Sequence, residues 1–385
     1  MSETVPAVPA VTAGPDEAGT PPAVLPLAGY TVAVTADRRR EELGALLDRR
    51  GAAVVYAPAM RIVPLADDAE LGAATRAVLE RPVDLVVATT GGGFRGWLEA
   101  ARAWDLPLVE HLRSARILAR GPKARGAIRG SGLVDAWSPE SESSAEVLER
   151  LLSGAEGPLE GRRIAVQLHG DPLADLLAAL RRTGAEVLAV PVYRWVLPED
   201  VGPLRALVDA AAAGSVDAVT FTSAPAAAAL LAVAEDLGRR EDLLDALRGP
   251  VLAFAVGPVT AAPLHAAGVP TREPERSRLG ALAREVVARL PERDPVLAVA
   301  GGTLQVRGSA AVRDGRLVPL APGPVAVLRA LAVRPGSVLS QAELVGVLGG
   351  GGDGHAVEMA VTRLRAALGA GLVQTVPERG HRLAV

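Results

Sequence analysis

The chain has 385 residues, 49% of them apolar and 22% charged, with a formal net charge of −3 at pH 7. That length implies two or three domains, and the apolar content excludes wholesale disorder. There is no cysteine, which excludes disulfide frameworks, thiolate metal sites and cysteine nucleophiles, and His111, His169, His265, His355 and His381 show no ligand spacing, so no metal or cofactor is expected.

Residues 1–28 are rich in Pro, Ala, Thr and Gly, carry Asp16 and Glu17 and have no basic start, which reads as a disordered tail rather than a signal peptide. No window approaches 18 unbroken apolar residues, so no membrane span is expected and the protein is read as cytoplasmic. From there an internal repeat sets the organisation. Val32-Ala-Val-Thr35, Gly51-Ala-Ala-Val-Val55 and Pro58-Ala-Met-Arg61 return as Ile164-Ala-Val-Gln167, Gly184-Ala-Glu-Val-Leu188 and Pro191-Val-Tyr-Arg194. Ala88-Thr89-Thr90 returns as Phe221-Thr222-Ser223, and Arg120-Gly121-Pro122 as Val256-Gly257-Pro258.

Short apolar runs at 32–35, 54–57, 85–88 and 117–119 read as buried strands, and 39–50, 93–103 and 145–152 as amphipathic helices between them. Regular βα alternation implies parallel sheets covered on both faces. The proline-bounded segments 58–64 and 191–198 read as extended crossings between two lobes, since the residue before a proline is pushed out of the helical region. Ligands of such sheets bind at the carboxyl ends of the strands. Gly91-Gly-Gly-Phe-Arg-Gly96 fits G-x-G-x-x-G, but its repeat partner Ser223-Ala-Pro225 has no glycine and no G-K-[ST] follows, so no nucleotide site is assigned to it.

The arrangement over residues 29–290 resembles uroporphyrinogen-III synthase, on Val190-Pro-Val-Tyr-Arg194, Thr220-Phe-Thr-Ser223, Ala255-Val-Gly-Pro-Val-Thr-Ala261 and Arg120-Gly-Pro-Lys-Ala-Arg125. The resemblance implies a duplicated two-lobed parallel-sheet α/β fold, with lobe A at about 29–57 and 199–275 and lobe B at about 66–190. It also implies a cleft for a linear tetrapyrrole with eight carboxylates, cyclised without a cofactor. Tyr193 falls on the position of the proton donor to the departing hydroxyl, and Thr89, Thr90, Thr222, Ser223 and Thr260 on hydroxyl positions suited to carboxylates. Read without the resemblance, Tyr193 is a packing residue and Thr222-Ser223 a helix cap. Arg38, Arg95 and Lys123 supply positive charge for a polyanion. Gln167-Leu-His169-Gly170 stands where synthases tend to carry an Arg-Gly pair, which removes a charge and argues against full enzymatic activity.

After a polar linker at 291–295 the pattern changes, and from residue 296 nine arginines face five acids, an excess of +4 over an acidic remainder. Residues 304–306 and 311–317 with the Asp314-Gly315 turn signal a hairpin. Helices are expected at 324–333, at 341–348 behind a Ser340-x-x-Glu343 capping box, and at 355–368 behind Asp353, with the Gly349–Gly352 loop between the last two. A β-ribbon with its tip at Glu378-Arg379 ends the chain. The whole resembles the winged helix-turn-helix DNA-binding domain of OmpR/PhoB-type regulators, on Asp314-Gly-Arg-Leu-Val-Pro-Leu320, Arg334-Pro-Gly-Ser-Val-Leu-Ser340, Ala356-Val-Glu-Met-Ala-Val-Thr-Arg-Leu-Arg365 and Arg379-Gly-His-Arg-Leu383, with His381 where an aromatic is usual.

That resemblance implies double-stranded DNA as partner. The third helix would present His355, Met359, Thr362 and Arg363 to the major groove, Arg363 reading a base edge, while Arg365, Arg379 and Arg382 touch phosphates. The combination resembles actinobacterial regulators tied to nitrate and nitrite assimilation. The expected function is a transcription regulator whose synthase-like domain senses a tetrapyrrole, another anion or a partner regulator, with a homodimer on DNA among the expected partners. A bifunctional uroporphyrinogen-III synthase and a purely structural dimerisation scaffold stand as alternatives.

Overall fold

The structure, a computed structural model, describes residues 24–64, 69–140, 143–168, 170, 173–348 and 353–385. The chain runs β1 (Thr31–Val34), α1 (Arg40–Asp48), β2 (Ala53–Tyr56), β3 (Arg61–Pro64), α2 (Ala69–Glu80), β4 (Leu85–Ala88), α3 (Gly91–Ala103), α4 (Leu108–Leu112), β5 (Arg116–Ala119), α5 (Pro122–Gly130), β6 (Asp135–Trp137) and α6 (Ser144–Leu152). The second half of the repeat gives β7 (Arg163–Leu168), α7 (Ala174–Arg182), β8 (Glu186–Pro191), β9 (Tyr193–Val196), α8 (Gly202–Ala212), β10 (Ala218–Phe221), α9 (Ala224–Asp236), α10 (Arg240–Arg248), β11 (Leu252–Ala255), α11 (Pro258–Ala266), β12 (Thr271–Arg272) and α12 (Leu279–Arg289).

Two five-stranded parallel sheets result, β12-β11-β10-β1-β2 and β6-β5-β4-β7-β8. Under the repeat the two orders are the same, because β7, β8, β10, β11 and β12 are the counterparts of β1, β2, β4, β5 and β6. Each sheet therefore takes strands from both halves. The fold is the duplicated parallel-sheet α/β architecture expected from the repeat. Strand β4 shows why the apolar runs are unbroken: Val86 and Ala88 enter one core with Phe94 and Trp97, while Leu85 and Val87 enter the other with Leu118 and Ile164. The proline-bounded segments pair with each other, β3 antiparallel to β9, with Pro64 opposite Tyr193.

The C-terminal module holds a four-stranded antiparallel sheet, β13 (Leu297–Val299), β14 (Gly302–Val306), β15 (Ala310–Arg313) and β16 (Arg316–Pro319). Helices α13 (Pro322–Val333), α14 (Gln341–Leu348) and α15 (Gly354–Leu368) follow, then the ribbon β17 (Val373–Val376) and β18 (Gly380–Leu383). This is a winged helix with its own apolar core, built from Leu304, Leu328, Leu331, Leu344, Val361, Leu364 and Leu383 among others. Asp314 and Gly315 both have positive φ, 49° and 75°, as a two-residue hairpin turn demands; the turn joins β15 to β16, inside the stretch read as one strand from sequence.

The chain divides into two compact units, one of residues up to 57, 206–224 and 234–385, the other of residues 58–205 and 225–233. The first holds the β1 sheet together with the winged helix; the second holds the β4 sheet. In the first, the end of the expected tail is already structured. Leu27 and Tyr30 are fully buried in the core under β1, and the Arg307 guanidinium donates to Leu25 O and Ala28 O at 3.1 and 2.7 Å. Residues 291–293, read as the start of a linker, form a 3₁₀ turn. The Arg293 guanidinium donates to Asp217 Oδ1 at 2.7 Å, to Pro250 O at 2.7 Å and to Asp294 Oδ2 at 2.9 Å.

Candidate functional site

In the second unit the sequence-selected residues gather at the carboxyl end of β4 and β7. Thr90 caps α3: its Oγ1 accepts the Gly93 N–H at 3.1 Å, and it lies 3.4 Å from the Tyr193 hydroxyl. Tyr193 is half-buried, its ring against the core that holds Phe94 and Trp97. Gln167 is fully buried and its amide ties the turn together. Its Oε1 accepts the N–H of both Thr89 and Thr90 at 3.1 Å, and its Nε2 donates to Leu168 O at 2.6 Å. Thr89 Oγ1 in turn donates to Gln167 O at 2.7 Å.

Glycines make room for this. A Cβ on Gly93 would stand 2.4 Å from Gln167 Nε2, and one on Gly91 would stand 2.2 Å from the Lys123 carbonyl. The glycine-rich run is thus explained by close packing of α3 against Gln167 and α5. Arg95 on α3 and Lys123 in the first turn of α5 are both exposed. His169 lies outside the described residues.

The remaining residues selected from the sequence belong to the first unit. Arg38 is exposed in the turn before α1; Thr222 and Ser223 are half-buried between β10 and α9; Thr260 is buried in the first turn of α11. Helices α5 and α11 begin alike, with Gly121 and Gly257 at the cap and proline at the first helical position. Two threonines not singled out from sequence do here what Gln167 does in the other sheet. Thr35 Oγ1 donates to Thr220 O at 2.8 Å and Thr220 Oγ1 to Ala33 O at 2.9 Å, joining β1 to β10. The repeat itself, Thr35 opposite Gln167, was the signal that could have found them.

On the winged helix, α15 is capped by Asp353, whose carboxylate accepts the Ala356 N–H at 2.8 Å. Val357, Val361, Leu364 and Leu368 are buried, leaving His355, Met359, Thr362 and Arg363 exposed on the other side. Arg379 is exposed at the wing tip beside Glu378, which has a φ of 61°. Arg382 is exposed and donates to Gln374 Oε1 at 3.0 Å. Arg365 has an intramolecular role: its guanidinium donates to Val373 O at 2.9 Å and to Thr375 Oγ1 at 2.7 Å, holding the wing strand to α15. Sequence reasoning missed its partners. His381, 2% exposed, places Nδ1 3.2 Å from Thr375 Oγ1 and Nε2 3.1 Å from Glu358 Oε1. Among the described residues no cluster suited to a metal ion occurs, and no helix is long and apolar enough to cross a membrane.

Comparison with known proteins agrees with both halves of this geometry. Residues 41–284 match the family Uroporphyrinogen-III synthase HemD, and residues 315–383 match Transcriptional regulatory protein, C terminal. A putative uroporphyrinogen-III synthase of Methanothermobacter thermautotrophicus is 33% identical over 193 residues, 50% of this chain and 73% of that protein. The uncharacterized protein YjjA of Bacillus subtilis is 29% identical over 272 residues, 70% of this chain and 98% of that one. The crystal structure of a mutant uroporphyrinogen III synthase from Thermus thermophilus, 32% identical, superimposes with a TM-score of 0.58 over 69% of this chain and 99% of that one. The chain therefore belongs to the uroporphyrinogen-III synthase HemD family, here fused to the C-terminal DNA-binding domain of a transcriptional regulatory protein.

Proposed function

We propose that the protein is a transcription regulator in which a synthase-like domain, residues 29–290, senses a ligand and a winged helix, residues 296–385, reads double-stranded DNA. The observation that carries the reading is the open face of α15, where Arg363 stands exposed with Thr362 and Met359, together with the exposed Arg379 at the wing tip. A guanidinium there has the reach and the paired donors to take a guanine edge in the major groove. The sensed molecule is an anion, most simply a linear tetrapyrrole, held by the hydroxyls of Thr90, Thr222, Ser223 and Thr260 and by Arg38, Arg95 and Lys123. A partner regulator docking on the same domain is the other occupant to test. The protein works in the cytoplasm, and control of nitrate and nitrite assimilation is the regulatory context in which we place it.

Turnover is not part of this reading. Gln167 is neutral, and both ends of its amide are spent on Thr89, Thr90 and Leu168 rather than offered to a substrate carboxylate. A footprint on promoter DNA with and without hydroxymethylbilane, run beside a cyclisation assay, tests it. A tetrapyrrole-dependent footprint with negligible turnover supports regulation. Turnover at an ordinary enzymatic rate that Tyr193→Phe abolishes establishes the bifunctional alternative.

A further inference from the structure

The two halves of the repeat differ at the first residue of an equivalent strand. Arg163 opens β7, and its counterpart, 132 residues earlier, is Thr31, which opens β1. In the second unit the Arg163 side chain is buried under the carboxyl end of α2. Its Nη2 donates to Ala77 O at 2.8 Å, its Nη1 to Arg81 O, and its Nε to Glu186 Oε1 at 3.0 Å. The last carbonyls of a helix have no partner within it and sit at the negative pole of its dipole, so a planar cation is the matching occupant. Asp84 completes the frame, its Oδ2 accepting the Arg163 N–H at 2.8 Å.

The first unit builds the same frame without the cation. Asp217 Oδ2 accepts the Thr31 N–H at 2.8 Å, as Asp84 does for Arg163. Gly214 and Ser215, after α8, stand where Arg81 and Pro82 stand after α2. Ser215 has the amide that Pro82 lacks and donates it to Ala210 O at 2.8 Å, the carbonyl equivalent to Ala77 O. A cavity of about 400 Å³ lies beside the counterparts of Arg163, Arg81, Pro82 and Asp84. Thr31, Gly214, Ser215 and Asp217 line one side; Val325 and Arg329 of α13 line the opposite side. That volume falls within the range of small-molecule sites, and Thr31, Ser215, Asp217, Ser309 and Arg329 give a largely apolar lining the few polar groups that orient a solute.

Charge narrows the occupant. Asp217 is 5% exposed and bonded to Arg293, which also binds Asp294; Arg329 donates to Arg307 O at 3.3 Å and Gly308 O at 3.1 Å. Of the residues that line the cavity only Asp217 and Arg329 are charged, so its walls are neutral, with one carboxylate and one guanidinium. We infer that this cavity, at the amino end of the β1 sheet against the winged helix, binds a small zwitterion. Its guanidinium or primary ammonium group faces Asp217, and its acid group faces Arg329. The site is separate from the carboxyl-end residues assigned above, and stands or falls independently of them.

Isothermal titration of the full chain with L-arginine and with agmatine, which lacks the acid group, tests the inference. Saturable arginine binding is expected, with agmatine weaker by about tenfold or more. Thr31→Arg, which restores the side chain of the other half, should remove binding and raise the melting temperature. Ala326→Leu, which narrows the cavity from α13, should also remove binding if Thr31→Arg does not fold. No saturable binding of arginine, binding that survives both substitutions, or agmatine binding as tightly as arginine overturns the assignment.

Discussion

Buried polar side chains are the residues with most to lose. The Gln167 amide is fully buried and satisfies two N–H groups and one carbonyl at the end of β4 and β7. Gln167→Leu keeps the volume roughly but strands those groups, so a loss of about 1–3 kcal/mol is expected in urea unfolding. Glu156 is a charged case. Burial pushes its carboxyl up, but hydrogen bonds from Arg116 and Arg150 outweigh burial and hold it below the ordinary value of 4.5. A depressed carboxyl contributes its stability in full above that value, and the contribution is lost as pH falls through the folded-state value. Stability measured downward from pH 4.5 should therefore fall less steeply in Glu156→Gln than in the parent. On the DNA face, Arg363→Ala should cost about 1–3 kcal/mol at the specific site and little on random duplex, whereas Arg379→Ala should weaken both alike and flatten the salt dependence. Equal losses on both duplexes for Arg363→Ala remove it as a base reader.

At the scale of elements, the wing and α15 are joined by one hydrogen-bonded chain: Arg365 to Thr375, Thr375 to His381, His381 to Glu358. Arg365→Ala breaks its first link and frees the Val373 carbonyl, so the wing should loosen, with a lower melting temperature and weaker binding to specific and random DNA together. Loss confined to the specific site would instead give Arg365 a direct role. None of this chain was visible in the sequence, because it links residues that only the folded ribbon brings together. What was legible is local chemistry. The Ser340–Glu343 capping box forms as spaced, with Glu343 N donating to Ser340 Oγ at 3.3 Å and Ser340 N to Glu343 Oε2 at 2.7 Å. The apolar stripe of α15 is buried as its period required. β13 escaped notice because three residues carry no period, and Gln167 read as a lost charge because Thr89 and Thr90, whose N–H groups it accepts, lie 78 and 77 residues away in the turn after β4.

At the scale of the molecule, the winged helix is seated on the amino end of the β1 sheet. Ser309 N donates to Gly29 O at 2.8 Å, Arg293 bridges Asp217 and Asp294, and the Arg293 and Arg307 guanidiniums lie 5.6 and 5.4 Å from the Tyr30 ring centre. Gly308 is the tightest point: a Cβ there would meet Asp217 Oδ2 at 2.0 Å, and that carboxylate is already fixed by Thr31 and Arg293. Elements packed this way unfold together, while a module with its own core can still fold once released. Gly308→Val should therefore split thermal unfolding, with the winged helix melting as a separate transition, and leave basal DNA affinity within about threefold of the parent because the core around Leu328 and Leu364 is untouched. The same seat gives a route for regulation, since a ligand shifts an equilibrium by its differential affinity for two states and a fixed seat passes that shift to the winged helix. A ligand response of about 1–3 kcal/mol in DNA affinity is expected for the parent. It should vanish in Gly308→Val and in a chain with about ten Gly/Ser residues inserted after Pro291, which replaces a fixed seat by a flexible tether. If the response survives both changes, orientation through this seat is not the carrier, and ligand-driven pairing of two chains on DNA becomes the account to pursue.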